Sequence, residues 1–412
     1  MGMSTRNRVN FNRRRFNVRK YLSLKNAIML TCVICTIVLS AMLVGNAILQ
    51  RKIKNSTLVY KAELKDKEKT ENTNMDNTNS EDNKTFEENA KSKKEDAIKN
   101  NQGTVNLCLM GEIMLGGQVT TNLNYMYMDA FKEIYNIPKS SDFAYANFST
   151  NITNLEKIQD AKSKYLVTKD SISALNSMGM DAVSISSDHM VDFPEDIFKN
   201  TIDTLEKNEI FVAGRENTPV YLQKDDKKIA IISTNAVVNG TSKNYTKEGI
   251  SIYEKENLIK NIKEAKDCAN IVIVDVHWGR EYTYGLNDQM RNIATTAIDF
   301  GADMVIGSHA LGVYPIVKYK DKPIIYSTGY LISDTDFNVG LEGYIFNIGI
   351  SKEGKIDNIT MTPTYIVDKK KTCMYTQYDP IKAAVYLEQF NKWNIENSLD
   401  SKVQNGKIIV KL

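Results

Sequence analysis

The feature that most constrains this 412-residue chain is an uncharged run from Asn26 to Gln50. Residues 1–25, which precede it, carry eight basic side chains and no acidic one. A helix needs about 20 apolar residues to cross the hydrocarbon core of a bilayer, so this run is long enough to span it. Because a strongly basic flank stays on the cytoplasmic side, the sequence predicts a single-pass membrane protein whose later residues face the exterior.

A cleaved signal peptide is the alternative interpretation of the same segment. The apolar core of such a peptide is usually about 7–15 residues long and ends at a pattern of small residues. The run at 26–50 is longer, and no clear pattern of small residues follows it. We therefore expect a cytoplasmic tail at 1–25 and a retained transmembrane helix at 26–50.

The following segment, residues 51–103, is almost entirely polar and mixes charges of both signs. It holds too little apolar surface to offset the entropy that ordering it would cost. We expect a disordered stalk that holds an exterior domain, residues 104–412, away from the membrane.

Charge and cysteine content agree with this layout. The chain has 53 basic and 50 acidic residues, and the eight basic residues of the tail leave 45 against 50 for the rest. The basic balance therefore reflects membrane topology, and the alternating signs of the stalk argue against nucleic-acid binding. Cys32 and Cys35 lie in the predicted span, and Cys108, Cys268 and Cys373 are odd in number and widely spaced, so no disulfide framework is expected.

Residues 104–412 alternate short β-branched runs with helical ones, which predicts a layered α/β core. The predicted buried strands are Val105–Met110, Asp181–Ser186, Lys228–Ser233, Ile271–Val276, Asp303–Ile306 and Lys322–Ser327. The predicted helices are 170–178, 194–208, 255–268 and 286–300. Later runs at Tyr344–Ile350, Lys355–Met361 and Lys407–Lys411 indicate antiparallel strands, so we expect a mixed sheet or two packed sheets.

The chain has three histidines, and each follows a predicted strand: His189, His277 and His309. Ligands gather at the carboxyl ends of strands in open α/β sheets, and imidazoles with carboxylates are ligands that first-row metals accept. Glu112 follows the first strand, and Asp188 and Glu281 lie beside two of the histidines. The sequence thus predicts a metal site, against the alternative of unrelated histidines in polar loops.

Several motifs resemble the poly-γ-glutamate capsule synthesis protein CapA family, a branch of the calcineurin-like metallophosphatase fold. They are, in chain order, MGEIMLGG (110–117), ANFSTNI (146–152), SDHMVDF (187–193), VAGREN (212–217), HWGREY (277–282), QMRNIATTAIDFGADMVIGSHA (289–310) and KYKDKPIIYSTGYLISD (318–334). The resemblance covers about residues 104–370. It implies a metallophosphatase-like mixed β-sheet sandwich flanked by helices.

The departures from the family pattern concern metal ligands. Glu112 stands where the family has aspartate, Asn147 is followed at the acidic position by Ser149, and Asp188 replaces an asparagine. His309 is followed by alanine and leucine, so the second histidine of a His-Pro-His motif is missing. A two-metal site holds ions roughly 3.5–4 Å apart and needs ligands for both, so these losses leave one divalent ion or none.

The resemblance implies a membrane-anchored accessory protein for synthesis or export of an extracellular anionic polymer, poly-γ-glutamate, working with other membrane components of a polymer synthase. The implied metal ligands are Glu112, Asp188, His189, His277 and His309. The implied polymer-binding residues are Asn147 and Glu281. The alternative is an extracellular metal-dependent phosphoesterase in which His189 and Asp188 act in catalysis. A third is a structural domain of the cell wall, in which Trp278, Tyr282 and Tyr284 belong to the core or stack on carbohydrate.

Overall fold

The computed structural model describes residues 103–156, 158, 164–237, 249–280, 285–310, 312–336 and 340–412. The predicted tail and span lie outside the described residues, as does all of the stalk except Gly103. Among the described residues, no helix is both long and apolar enough to cross a membrane. With the exception of Gly103, the described residues all belong to the predicted exterior domain.

Strands dominate the described chain. In chain order they are β1 (Val105–Ile113), β2 (Phe143–Phe148), β3 (Asn151–Thr153), β4 (Leu166–Thr168), β5 (Ala182–Ser184), β6 (Phe211–Ala213), β7 (Val220–Lys224), β8 (Lys227–Asn235), β9 (Ile271–His277), β10 (Met304–Ser308), β11 (Ile316–Tyr319), β12 (Lys322–Ile325), β13 (Tyr330–Ile332), β14 (Glu342–Ile350), β15 (Ile356–Val367), β16 (Lys371–Met374), β17 (Asp400–Gln404) and β18 (Lys407–Lys411).

The α-helices are α1 (Gln118–Leu123), α2 (Asn136–Lys139), α3 (Ile172–Ser177), α4 (Glu195–Lys207), α5 (Lys255–Lys266), α6 (Asp288–Asp299), α7 (Tyr375–Tyr378) and α8 (Pro380–Glu396). Short 3₁₀ turns occur at Tyr127–Ala130, Lys169–Ser171 and Asp188–Val191. Helix α6 begins where the side chain of Asn287 accepts a hydrogen bond from the Met290 N–H at 2.8 Å, which satisfies one of the unpaired donors of the first turn.

Two mixed sheets form the domain. The ten-stranded sheet runs β17-β18-β15-β14-β1-β2-β5-β6, with β13 beside β1 and β16 beside β15. The six-stranded sheet runs β11-β12-β10-β9-β8-β7, and β3 pairs with β4 apart from both. Strands β1, β2, β5 and β6 are parallel to one another, as are β8, β9, β10 and β12. Each sheet therefore gathers several carboxyl ends at one edge.

Side-chain alternation along the strands builds the layers. In β9, Ile271 and Ile273 join the core between the sheets, where they meet Leu107 and Leu109 of β1. The alternate residues of β9, Val272, Val274 and Val276, pack with α5 and α6 on the outer side of the sheet. This period of two leaves Asp275 and His277 on the inter-sheet face of β9.

The predicted fold class, a layered mixed α/β sandwich flanked by helices, is confirmed. Each of the predicted strands overlaps an observed one, and the three late runs pair in an antiparallel manner within β14, β15 and β18. The four predicted helices correspond to α3, α4, α5 and α6. Among the elements that sequence analysis missed are β2 and α8. The start of α8 is recognisable, because Pro380 follows Asp379, whose side chain accepts from the Lys382 N–H.

Candidate metal centre

The predicted polar residues arrive together at the carboxyl ends of the parallel strands. Glu112 lies near the end of β1, and Asn147 near the end of β2. Asp188 follows β5 after a short connection, His277 is the last residue of β9, and His309 directly follows β10. All five are buried, with exposed fractions of at most 7%. The two sheets thus deliver these groups to one edge of the sandwich.

Three of these residues form a compact cluster. One ligand atom each from Asp188, His277 and His309 lies within 4.8 Å of the others. The imidazole rings of His277 and His309 have their centroids 4.6 Å apart. These three residues are far apart in the chain. They meet because the carboxyl ends of β5, β9 and β10 lie at the same edge of the sandwich.

The carboxylate of Asp188 is the centre of the cluster. Its Oδ1 lies 3.1 Å from Nε2 of His277. The same oxygen lies 3.7 Å from Nε2 of His189 and 3.8 Å from Nδ1 of His309. Burial alone would raise the pKa of Asp188, but the hydrogen bond to His277 and the charges of the three imidazoles hold that pKa well below its usual range. Asp188 is therefore a carboxylate at neutral pH.

A chain of hydrogen bonds fixes the other side of the His277 ring. Its Nδ1 lies 3.0 Å from the Ser308 hydroxyl, which accepts from the Asn147 amide at 3.2 Å. The Asn147 carbonyl oxygen accepts from Ser149 at 2.7 Å. Asn147, which the resemblance places toward the polymer, is thus held inside the protein by two serines.

His309 combines an unusual backbone with a buried ring. Its φ is 79°, in the left-handed region that costs energy for residues other than glycine. Its N–H donates to Oε2 of Glu112 at 3.3 Å, which holds this conformation and places Glu112 against the cluster. Burial, and then the neighbouring His277, lower the pKa of His309 to about 3. The ring is neutral at physiological pH, the state that binds metals.

His189 lies at the rim of the cluster and has its own partners. Its ring stacks on Tyr165, with centroids 3.4 Å apart and planes 9° from parallel. Its Nδ1 lies 2.8 Å from Oδ2 of Asp192. Burial would lower the pKa of His189, but Asp192, Asp188 and Glu112 together raise it above its ordinary value. His189 is thus positioned as a proton donor next to a carboxylate.

A second polar layer lies beneath the cluster, and sequence analysis did not find it. Asp275, two residues before His277 on the same face of β9, accepts from Tyr145 at 2.6 Å and from Ser233 at 3.1 Å. Ser233 in turn lies 2.6 Å from the hydroxyl of Ser184. This network joins the two sheets directly below the site. Burial raises the pKa of Asp275.

The donor set of the cluster fits one divalent ion. Two imidazoles and a carboxylate are the ligand types that first-row transition metals accept, and Glu112 adds a second carboxylate nearby. Trp278 is fully buried and donates to the Tyr326 carbonyl at 2.8 Å, so its assignment to the core is confirmed. The other residues that the sequence singled out here lie outside the described residues: Glu281, Tyr282, Tyr284 and Leu311, which stands where the family pattern has its second histidine.

Residues 106–335, more than half of the chain, match the family described as bacterial capsule synthesis protein PGA_cap. The chain belongs to this family. The matched region contains every member of the cluster and the polar layer beneath it, and it confirms the family that the sequence motifs indicate.

Named relatives agree with this membership. The chain is 26% identical over 313 residues to the "PGA biosynthesis protein CapA" of Bacillus subtilis (strain 168), covering 73% of this chain and 80% of the relative. It is 27% identical to the "Capsule biosynthesis protein CapA" of Bacillus anthracis, over 55% of this chain and 59% of the relative. A "Probable polyglutamine synthesis accessory protein" of Mycobacterium tuberculosis is 23% identical over 50% of this chain and 59% of the relative.

Solved structures give partial overlaps. A 5'-nucleotidase precursor from Thermus thermophilus has a TM-score of 0.40 at 10% identity, over 69% of this chain and 60% of that one. A putative 5'-nucleotidase from Staphylococcus aureus has a TM-score of 0.39 at 12% identity, over 70% and 58%. Neither overlap bears on the chemistry of the site.

Proposed function

We propose that this protein is a membrane-anchored accessory component in the synthesis or export of extracellular poly-γ-glutamate. The support is its membership of the capsule synthesis family together with relatives that are named for PGA and capsule biosynthesis. The uncharged run at 26–50 after a basic tail supports anchoring with the domain outside the cell. The partners in this proposal are the anionic polymer and other membrane components of the polymer synthase.

The cluster around Asp188 is the part of the domain that acts on the polymer in this proposal. Asp188, His277 and His309 would hold one divalent ion, with Glu112 and His189 beside it. When bound, such an ion supplies a positive charge that attracts carboxylates and polarises carbonyl groups. The protein's own contribution is orientation, because Ser308 fixes the ring of His277 and Glu112 fixes the backbone of His309.

The experiment is a deletion in the bacterium that carries the gene, followed by return of single-residue variants. Deletion should abolish γ-linked polyglutamate at the cell surface, measured as glutamate released from the washed polymer. The wild-type gene should restore it, and His277→Ala should not. Ser171→Ala, a change at a buried serine in the 3₁₀ turn at Lys169–Ser171 and outside the cluster, is the matched control. Unchanged polymer in the deletion strain would refute the proposal.

A second candidate function, an extracellular metal-dependent phosphoesterase, is supported by His189. Its raised pKa and its position 3.7 Å from Asp188 suit a residue that protonates a leaving oxygen. Two observations weigh against this candidate. The described cluster offers ligands for one ion, whereas a two-metal phosphoesterase needs ligands for two. The side chain of Asn147 is also already hydrogen-bonded to Ser308 and Ser149. Hydrolysis of a generic phosphodiester by the purified protein, lost in both His277→Ala and His189→Ala, would establish it. If the purified wild-type protein hydrolyses no phosphodiester while the wild-type gene still restores surface polyglutamate, the phosphoesterase candidate is wrong.

A further inference from the structure

Two buried polar groups beside the metal centre have no hydrogen-bond partner among the described residues. They are Nδ2 of Asn235 and the hydroxyl of Ser186, whose side chains are 1% and 0% exposed. Asn235 Nδ2 is the one nitrogen among such orphaned side-chain atoms in the described parts of the chain. A buried donor without an acceptor costs free energy, so it calls for an explanation.

The strands place these two groups side by side. Ser184 of β5 and Ser233 of β8 meet across the sheets with hydroxyls 2.6 Å apart. Asn235 follows Ser233 by two residues within β8, so both side chains lie on the same face of that strand. Ser186 lies two residues past the end of β5, in a tight turn closed by the Ser187 N–H donating to the Ile185 carbonyl at 2.8 Å. Both orphaned groups therefore follow a serine pair that is in contact, toward the edge that holds the metal centre.

The Ser186 hydroxyl packs directly against the backbone that follows β6. Ser251 donates its N–H to the Gly214 carbonyl and accepts from the Asn235 N–H, both at 2.8 Å, so it ties the ends of β6 and β8 together. Gly214 has a φ of 86°, and a Cβ there would lie 2.1 Å from the Ser186 hydroxyl. Only glycine leaves this hydroxyl its space.

The orientation of Asn235 is also fixed. Its Oδ1 accepts from the Val237 N–H at 2.8 Å, which leaves Nδ2 as the free end of the amide. In the sheet, Asn235 is in direct register with His277, and Ser186 lies two residues before Asp188. Two donors thus flank the metal centre on the side where β5, β6 and β8 end.

We infer that Ser186 and Asn235 bind a neutral carbonyl oxygen, the amide carbonyl of a polyamide chain that passes over the metal centre. The amide nitrogen of Asn235 can only donate, and the Ser186 hydroxyl can donate as well, so one acceptor would satisfy both groups. Neither donor carries a charge, so the pair offers a carboxylate no ion pair to offset its desolvation, whereas an uncharged carbonyl oxygen is cheaper to desolvate and accepts the same hydrogen bonds. The inference rests on the proposed function, because it assigns the backbone amide of the γ-glutamyl polymer to this pair.

The test measures binding of two peptides of the same composition and charge, a γ-linked and an α-linked glutamate tetramer. The protein is the full chain in detergent micelles, with equal metal content in every sample. Ser186→Ala removes a hydroxyl that has no partner in the protein. Asn235→Asp keeps the acceptor for Val237 and replaces the donor with an oxygen. Ser171→Ala is the control, because Ser171 also has a buried hydroxyl without a partner but belongs to the 3₁₀ turn at Lys169–Ser171, outside the metal centre.

We expect both site variants to bind the γ-linked tetramer about tenfold more weakly or worse, with Ser171→Ala equal to wild type. The melting temperature of Ser186→Ala should equal or exceed that of the wild type, because the change removes an unpaired buried hydroxyl, and this separates lost binding from lost folding. Equal binding by wild type and both site variants would overturn the inference, leaving ordered water as the partner of these donors, while polymer binding stands.

The α-linked tetramer distinguishes failure of the carbonyl site from failure of the proposed polymer. If the wild type binds only the α-linked peptide, and the site variants weaken that binding, the carbonyl site stands and the choice of polymer is wrong. If the wild type binds neither peptide, both the carbonyl site and the proposed polymer are wrong.

Discussion

Asp188 and His277 lie 89 positions apart in the chain, yet Oδ1 of one is 3.1 Å from Nε2 of the other. The contact joins the loop after β5 in the larger sheet to the last residue of β9 in the smaller one. It therefore depends on how the two sheets face each other. Because the hydrogen bond to His277 helps to keep Asp188 ionised, the form in which a carboxylate binds metal, the pair is the natural point at which to test the site.

Metal content should separate the ligands from their neighbours. We expect the purified wild-type domain to hold one divalent ion and His277→Ala to hold none, because loss of one of three ligands leaves no substitute imidazole within the cluster. His189→Asn should retain the ion, since His189 is outside the group of three residues whose ligand atoms lie within 4.8 Å of one another. The measurement is metal content by mass spectrometry of the protein after dialysis.

Two ions in the wild type would contradict the one-metal prediction and favour the phosphoesterase. An ion retained in His277→Ala would mean that the cluster is not the binding site. The melting temperature of each variant, measured with chelator present, controls for misfolding.

The pKa of His189 should depend on Asp192. The hydrogen bond between them is the largest of the contributions that raise this pKa. Asp192→Asn should therefore lower the pKa of His189, and NMR titration of the imidazole protons measures the change. Asp196→Asn, an acid in the first turn of α4, is the control and should leave the titration unchanged. An unaltered pKa in Asp192→Asn would show that Asp188 and Glu112 alone account for the shift.

Much of this site could be predicted from the sequence because its residues follow strands. His277 ends a run of β-branched residues, and His309 follows another, so their location at one sheet edge follows from the parallel order of strands. The partners of these residues were not predictable in the same way. Ser308 is a common polar residue with no spacing that distinguishes it, and Asn147 was singled out by the family resemblance alone, with a role toward the polymer and not as a partner of Ser308.

The inter-sheet layer was missed for a physical reason. Asp275 and Tyr145 are 130 positions apart and touch because of the alignment of two separate sheets. Local periodicity shows that Asp275 lies on the inner face of its strand, but it does not show which residue of the facing sheet will meet it. The strand β2, with its alanines and aromatic residues, also lacks the β-branched pattern that marked the others.

Acid should destabilise the domain partly through His309. Its pKa falls from 6.5 to about 3 on folding, so between these values the unfolded chain binds a proton that the folded chain does not. Stability must therefore fall as the pH drops below about 6.5. The groups facing this ring are His277, Asp188 and His189. The carboxylate of Asp188 contributes only at lower pH, because its unfolded value is 3.8.

The measurement is urea unfolding of the domain with chelator at pH values from 7 to about 4.5, above the range in which Asp188 titrates. His309→Gln should show a shallower loss of stability across that range than the wild type. The same slope in both proteins would mean that the ring of His309 is protonated in the folded state or exposed to water.

Membrane topology is the prediction with the widest consequence, because it decides whether the site can meet an exterior polymer. The eight basic residues of the tail and the absence of acidic ones predict that residues 1–25 stay in the cytoplasm and that residues after about 50 face outside. Protease added to intact protoplasts should then digest the domain and leave a short membrane-bound stub. A cytoplasmic protein in the same cells, intact until lysis, is the control.

Full protection of the domain before lysis would reverse the topology. Release of a shortened soluble form without protease would instead show that residues 26–50 belong to a cleaved signal peptide, and the proposal of an anchored accessory protein would have to give way to a secreted one.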